Sequence, residues 1–125
     1  MQKYLWIAIG GALGALARYS VGSAVAGRLG AKFPYGTFVV NLTACILLGF
    51  SLEILTRHVE INPAWRYLIP TGFVGAYSTF STFEWETFAN LQAGSFAMAG
   101  AYVVSSVVTG LVGIWCGAMA ARIVP

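Results

Sequence analysis

Four long runs of almost uncharged residues, at about 4–27, 37–55, 67–91 and 96–123, are separated by connectors of only a few residues. Each run is near the ~20 residues a helix needs to cross the hydrocarbon layer of a membrane. In lipid, only helices and closed barrels satisfy their own backbone polar groups, and runs of this length are helical. The chain therefore reads as an all-α membrane protein. It has four transmembrane helices in a single domain over residues 1–125, with no room for a soluble domain. Composition agrees: only 9% of residues are charged, whereas a soluble domain covers its core with about a quarter.

The connectors, 29–35 with Pro34, 58–64 with Pro63 and 92–95 with Gly94, are short. Basic residues sit mostly near the ends of apolar runs, where snorkelling side chains reach lipid headgroups. A net charge of +3, scattered in this way, excludes a nucleic-acid surface. The run after Lys3 lacks a cleavage site and reads as a retained first span, not a signal peptide. Cys45 and Cys116 lie inside apolar runs and read as small packing residues. With four spans, Lys3, Arg57, Arg66 and Arg122 share one side of the membrane, and Arg28 and Lys32, with Arg18 if it snorkels that way, the other. That bias is weak under the positive-inside rule, so insertion in both orientations, and an antiparallel homodimer, are open to the chain.

Small residues recur at helix-contact spacing: Gly10 with Gly14, and Gly113 with Gly117. On the fourth span Tyr102, Ser106, Thr109, Gly113, Gly117 and Ala120 share one face. Either a packing seam or a polar track fits that face. The third span is unusual. Gly72 and Gly75 precede Tyr77, Ser78, Thr79, Ser81 and Thr82, which weakens an apolar helix in its middle. Such a stretch is either a glycine kink satisfied by back-bonded hydroxyls or a true break lining a wet cavity. Carbonyls freed at a break can coordinate a cation.

Past that point Phe80 and Phe83, three residues apart, share a face. Phenyl rings have positive edges, which can hold an anion without binding it tightly; two rings filling a helix interface are the much commoner arrangement at this spacing. Thr79, Thr82 and Glu86 occupy the adjoining face. Asn41, inside the second span, is either an interhelical hydrogen-bond partner or a functional polar group. Arg18 either snorkels or makes an aqueous vestibule positive. The sequence offers no metal-ligand cluster, nucleophile–base pair or phosphate loop, and so no enzyme is expected.

These residues resemble a known family. Gly36-Thr37, Val40-Asn41-Leu42, Thr71-Gly72-Phe73, the run Ser78-Thr79-Phe80-Ser81-Thr82-Phe83 and Glu86 are closely similar to the Fluc (CrcB) fluoride channels. Residues 14–18 and 102–106 fit as well, so the resemblance covers essentially the whole chain. It implies a dual-topology, antiparallel homodimer in the cytoplasmic membrane of a microbe, with lipid around it and passive export of fluoride through two pores. By position, Phe80 and Phe83 resemble the family's phenylalanine pair and Asn41 its pore asparagine. Thr79, Ser81, Thr82, Tyr102 and Ser106 resemble its hydroxyl-lined track, and Glu86 a glutamate beside it. Arg18 resembles the vestibule cation. Gly75 and Ser78 match positions whose main-chain carbonyls hold a structural sodium ion, Na+, at the dimer interface.

The chain departs from the pattern in three places. Ser78 stands where relatives often carry Thr, and Ala76-Tyr77 replaces a Gly and a small aliphatic residue, which is expected to stiffen the break. Gly110 stands where some relatives carry Ser, so that part of the polar track is either missing or supplied by Thr109. The alternative function is a small proton-coupled multidrug exporter of four-helix type. That machine needs a membrane-embedded carboxylate facing its substrate, and spans one and four contain no acidic residue.

Overall fold

The computed structural model describes residues 1–125, and every regular element in it is helical. The elements are α1 (Gln2–Leu29), α2 (Tyr35–Arg57), a composite α3, α4 (Phe80–Gln92) and α5 (Phe96–Ile123). Three of them, α1, α2 and α5, are long and apolar enough to cross a membrane. The third predicted span is divided instead. α3 runs through Ala64–Arg66, a stretch of wider π-type turns at Tyr67–Val74, and Gly75–Tyr77. Ser78 and Thr79 then adopt extended backbone, with ψ of 156° and 109°, before α4 begins.

Pro70 explains part of this geometry. It lies inside the π-type stretch, has no N–H to give to the preceding turn, and crowds that turn with its ring. Widening the helix by one residue relieves the clash, and the Thr71 hydroxyl supplies a donor to the Arg66 carbonyl at 3.0 Å. The break at Ser78–Thr79 is capped from both sides. The Ser78 N–H and hydroxyl both return to the Val74 carbonyl, at 3.0 and 3.1 Å. Thr79 caps α4 by accepting the Thr82 N–H at 3.3 Å.

Glycines set how closely the rods approach. Gly10 and Gly14 press α1 onto the backbone of α3 at Leu68 and Phe73, and Gly72 returns the contact against Ile7. α2 and α5 lie side by side in the same way, with Gly49 against Ile114 and Gly117 against Ile46 and Phe50. Such small-residue seams bring backbones together where lipid offers no hydrophobic drive for helix association. Val40, Ala44, Val74 and Tyr77 form the core where α2 meets α3. Tyr77, expected to stiffen the break, stacks on Phe73 with ring centroids 5.6 Å apart and shares a 2.9 Å hydrogen bond with the Thr43 hydroxyl. Beyond the core, two cations clip the end of α2. Arg122 pairs with Glu53 at 2.7 Å, and the Arg66 guanidinium donates to the Leu55 carbonyl. Leu13, Leu16, Leu111 and Trp115 face outwards, as a chain dissolved in lipid requires.

The buried stripe of α5 differs from the expected one at its end. It comprises Ala99, Tyr102, Gly110, Gly113, Gly117 and Ala121, whereas Ala120 is exposed. The stripe advances in steps of four from Gly113 onward because the α2–α5 contact follows the four-residue ridge of the helix.

Candidate functional site

The site is assembled around the broken span. Asn41 projects from the second turn of α2 and meets the extended backbone of Thr79 with both ends of its amide. Its Oδ1 accepts the Thr79 N–H at 2.8 Å, and its Nδ2 donates to the Thr79 carbonyl at 3.0 Å. In the next turn, the Thr79 hydroxyl donates to the Thr82 hydroxyl at 2.9 Å. These bonds have a consequence for the carbonyls behind them. In an unbroken helix the Thr79 N–H would close onto Gly75 and the Thr82 N–H onto Ser78; here they go to Asn41 and to Thr79 instead.

One turn beyond the Phe pair, Glu86 collects two hydroxyl donors. Thr37 on α2 gives to Oε1 at 2.8 Å, and Tyr102 on α5 gives to Oε2 at 2.7 Å. Tyr102 is wholly buried. Its ring meets Phe83 edge-on, centroids 5.0 Å apart and planes at 61°, and Phe83 lies 5.9 Å from Phe80. The two phenylalanines have different surroundings. Phe83 is 7% exposed and Phe80 73% exposed in the single chain.

A cavity of about 660 Å³ opens beside this cluster. Arg18, Lys32, Thr37, Thr79, Thr82 and Glu86 are among the residues lining it, which gives it two cations and one carboxylate. Arg18 therefore turns inward, with Nη1 3.5 Å from the Ser78 carbonyl. The structure thus gathers Asn41, Thr79, Thr82, Phe83, Glu86 and Tyr102 in one place, with Arg18 at the adjoining cavity. Phe80, Ser81 and Gly75 face out of the single chain. The Ser106 hydroxyl is buried without a protein partner. Thr109 donates at 2.7 Å to the Ser105 carbonyl of its own helix, so its proton is not available to a neighbouring track.

Sequence reasoning missed three contributors. Thr37, read only as part of the Gly36-Thr37 motif, binds Glu86; Lys32 lines the cavity; and Phe33 packs edge-on against Tyr102. A Lys-Phe-Pro-Tyr stretch between two apolar spans was the available signal. The main-chain oxygens of Gly75 and Ser78 fit a hard cation, because unwound carbonyls are the donors that such ions take within membranes. Arg18 competes for the second of them in the single chain.

Fold and site together define a small multi-pass membrane protein whose third span is broken beside a partly basic cavity. Residues 5–118 match the family described as CrcB-like protein, Camphor Resistance (CrcB). The chain is 54% identical over 116 residues to the "Fluoride-specific ion channel FluC" of Acidobacterium capsulatum, covering 93% of each. It is 47% identical to the protein of the same name from Solibacter usitatus, covering 97% of this chain and 99% of the relative. The protein of that name from Roseiflexus sp. is 42% identical, with 95% and 96% covered. The chain belongs to the CrcB family.

Proposed function

We propose that the chain is a fluoride-selective channel that lets fluoride leave a microbial cell passively across the cytoplasmic membrane, reducing its toxicity. The observation that carries this reading is the break at Ser78–Thr79. It starts α4 with a turn bearing Phe80, Thr82 and Phe83, next to a cavity lined by Arg18 and Lys32. The names of the relatives support fluoride as the ion.

Fluoride is small and strongly hydrated, so a pathway must replace its water with many donors. Thr82 and Ser81 hydroxyls, the second hydrogen of the Asn41 amide and the ring edges of Phe80 and Phe83 supply these without a full positive charge. Ser106, whose hydroxyl is buried without a protein partner, continues the donor series on α5, while the Tyr102 proton is committed to Glu86. A cation at the narrowest point would hold the ion too well for it to leave. Arg18 and Lys32 act further out, where positive charge concentrates anions in the cavity. Glu86, held by Thr37 and Tyr102, fixes the hydroxyls that border the track.

The functional unit in this reading is an antiparallel homodimer embedded in lipid, each protomer one four-helix domain. The outward position of Phe80, Ser81 and Gly75 supports it, since a lone protomer would turn part of its track to lipid. The even distribution of basic residues supports insertion in both orientations. Gly75 and Ser78 carbonyls from both protomers would hold a structural sodium ion, which supplies a fixed positive field at the interface. The exporter reading is not favoured: α1 and α5 carry no carboxylate.

Purified protein in liposomes, with fluoride and chloride electrodes in parallel and the voltage clamped by a potassium ionophore, tests the proposal. Rapid fluoride release with chloride retained is expected. A well-folded dimer that releases no fluoride overturns the channel reading and makes proton-coupled cation export the next assay.

A further inference from the structure

We infer that Phe33, in the connector between α1 and α2, is a positioning residue that holds the Tyr102 hydroxyl on Glu86. This deepens the channel reading and rests on it. Four rings form a continuous series from the connector to the start of α4. Phe33 meets Tyr102 with centroids 5.2 Å apart and planes at 81°; Tyr102 meets Phe83 at 5.0 Å and 61°; Phe83 meets Phe80 at 5.9 Å and 42°. Edge-on contacts of this kind are favourable beyond the area they bury, and they fix ring orientation as well as position.

The connector is built to keep Phe33 in place. Its ring also packs on Tyr35 at 4.9 Å and edge-on to Phe38 at 5.6 Å. Its carbonyl accepts the Tyr35 N–H at 2.7 Å, across Pro34, whose φ is fixed by its ring. Phe33 lines the same cavity as Arg18, Lys32 and Glu86. One residue thus walls the cavity and bears on the phenol whose hydroxyl donates to Glu86 at 2.7 Å. Removing the ring leaves a gap beside Tyr102, and the phenol gains room to swing away from the carboxylate.

The test is a double-mutant cycle on the full-length protein in liposomes: wild type, Phe33→Ala, Tyr102→Phe and the double variant. The expected result is a fall in fluoride efflux on the order of tenfold in each single variant, with the double variant no slower than Tyr102→Phe, because coupled residues are non-additive. Phe33→Tyr, which keeps the ring, restores most of the rate. Losses that multiply, or a Phe33→Ala variant at the wild-type rate, overturn the inference. Should Phe33→Ala fail to elute as the wild-type species does, Phe33→Leu takes its place in the cycle. The Tyr102 ring-carbon resonance next to the hydroxyl, assigned by its loss in Tyr102→Phe, is a second readout. It should move when Phe33 is replaced, and an unmoved signal also overturns the inference. A wild type that carries no fluoride would sink the channel reading alone, since the resonance still reports the coupling.

Discussion

Asn41 and Thr79, 38 residues apart, exchange two hydrogen bonds: the Thr79 N–H gives to Oδ1 at 2.8 Å and Nδ2 gives to the Thr79 carbonyl at 3.0 Å. The asparagine amide thus imitates the edge of a neighbouring backbone. It satisfies both polar groups of the residue at which the third span loses its helical ladder. A break at membrane depth is stable only with such a partner.

Two substitutions at Asn41 separate support of the break from conduction. Asn41→Ala leaves the Thr79 N–H and carbonyl unpaired, and a buried unsatisfied group costs about 1–3 kcal/mol. A lower melting temperature in detergent is therefore expected. Asn41→Asp keeps an acceptor for the N–H but sets negative charge beside the anion's path. Like charges about 4 Å apart repel by about 4 kcal/mol even at an effective dielectric of about 20. Fluoride efflux should fall by at least about tenfold, and an undiminished rate would remove Asn41 from the pore.

The two rings should respond differently to the same change. Phe80 is 73% exposed in the protomer and Phe83 7% exposed. Phe80→Ile should lower efflux while leaving protomer stability nearly unchanged. Phe83→Ile should lower efflux and also cost stability, about 1 kcal/mol, through its lost contact with Tyr102. In both, the dimer should elute unchanged from a sizing column. If efflux is unaltered in both variants, the rings are packing residues.

The all-helical fold, the close glycine contacts and the weakness of the third span were legible because they rest on run length, residue size and local chemistry. Gly10, Gly14, Gly113 and Gly117 behave as their spacing suggested. What the sequence withheld are contacts between distant residues. The Asn41–Thr79 exchange and the Thr37–Glu86–Tyr102 bridge depend on how α2, α4 and α5 are laid together, which no local pattern encodes. The π-type turns at Tyr67–Val74 were also hidden. Pro70 announces a disturbed helix, but whether it kinks or widens depends on Thr71 reaching Arg66 and on the pressure of α1.

In the connector after α2, Glu60 is held below the usual carboxylate range, first by its own backbone N–H and then by the His58 ring. Replacing His58 by Ala should therefore raise the Glu60 pKa only part of the way to its ordinary value, as read by carboxyl-carbon NMR. A depressed carboxylate contributes above its unfolded pKa, and that contribution is lost as pH falls through the folded one. Glu60 is fully exposed, so the melting temperature of His58→Ala should match wild type at neutral pH.

The closest test of the helix seams compares glycines that differ only in what surrounds them. A Cβ at Gly49 would run into the Ile114 carbonyl, and one at Gly117 into the Ile46 carbonyl and to 2.9 Å from the Phe50 nitrogen. These are backbone atoms of two packed helices, which cannot step aside as a flexible side chain can. Gly49→Ala and Gly117→Ala should each destabilise by about 1–3 kcal/mol, the usual cost of overpacking. Gly27, in the last turns of α1, has nothing within 4 Å of its would-be Cβ. There Ala removes only backbone freedom, and a gain of about 0.5–1 kcal/mol is expected. Melting temperatures of the three variants decide the matter. Equal effects at all three positions would mean that α2 and α5 are not pressed together through Gly49 and Gly117.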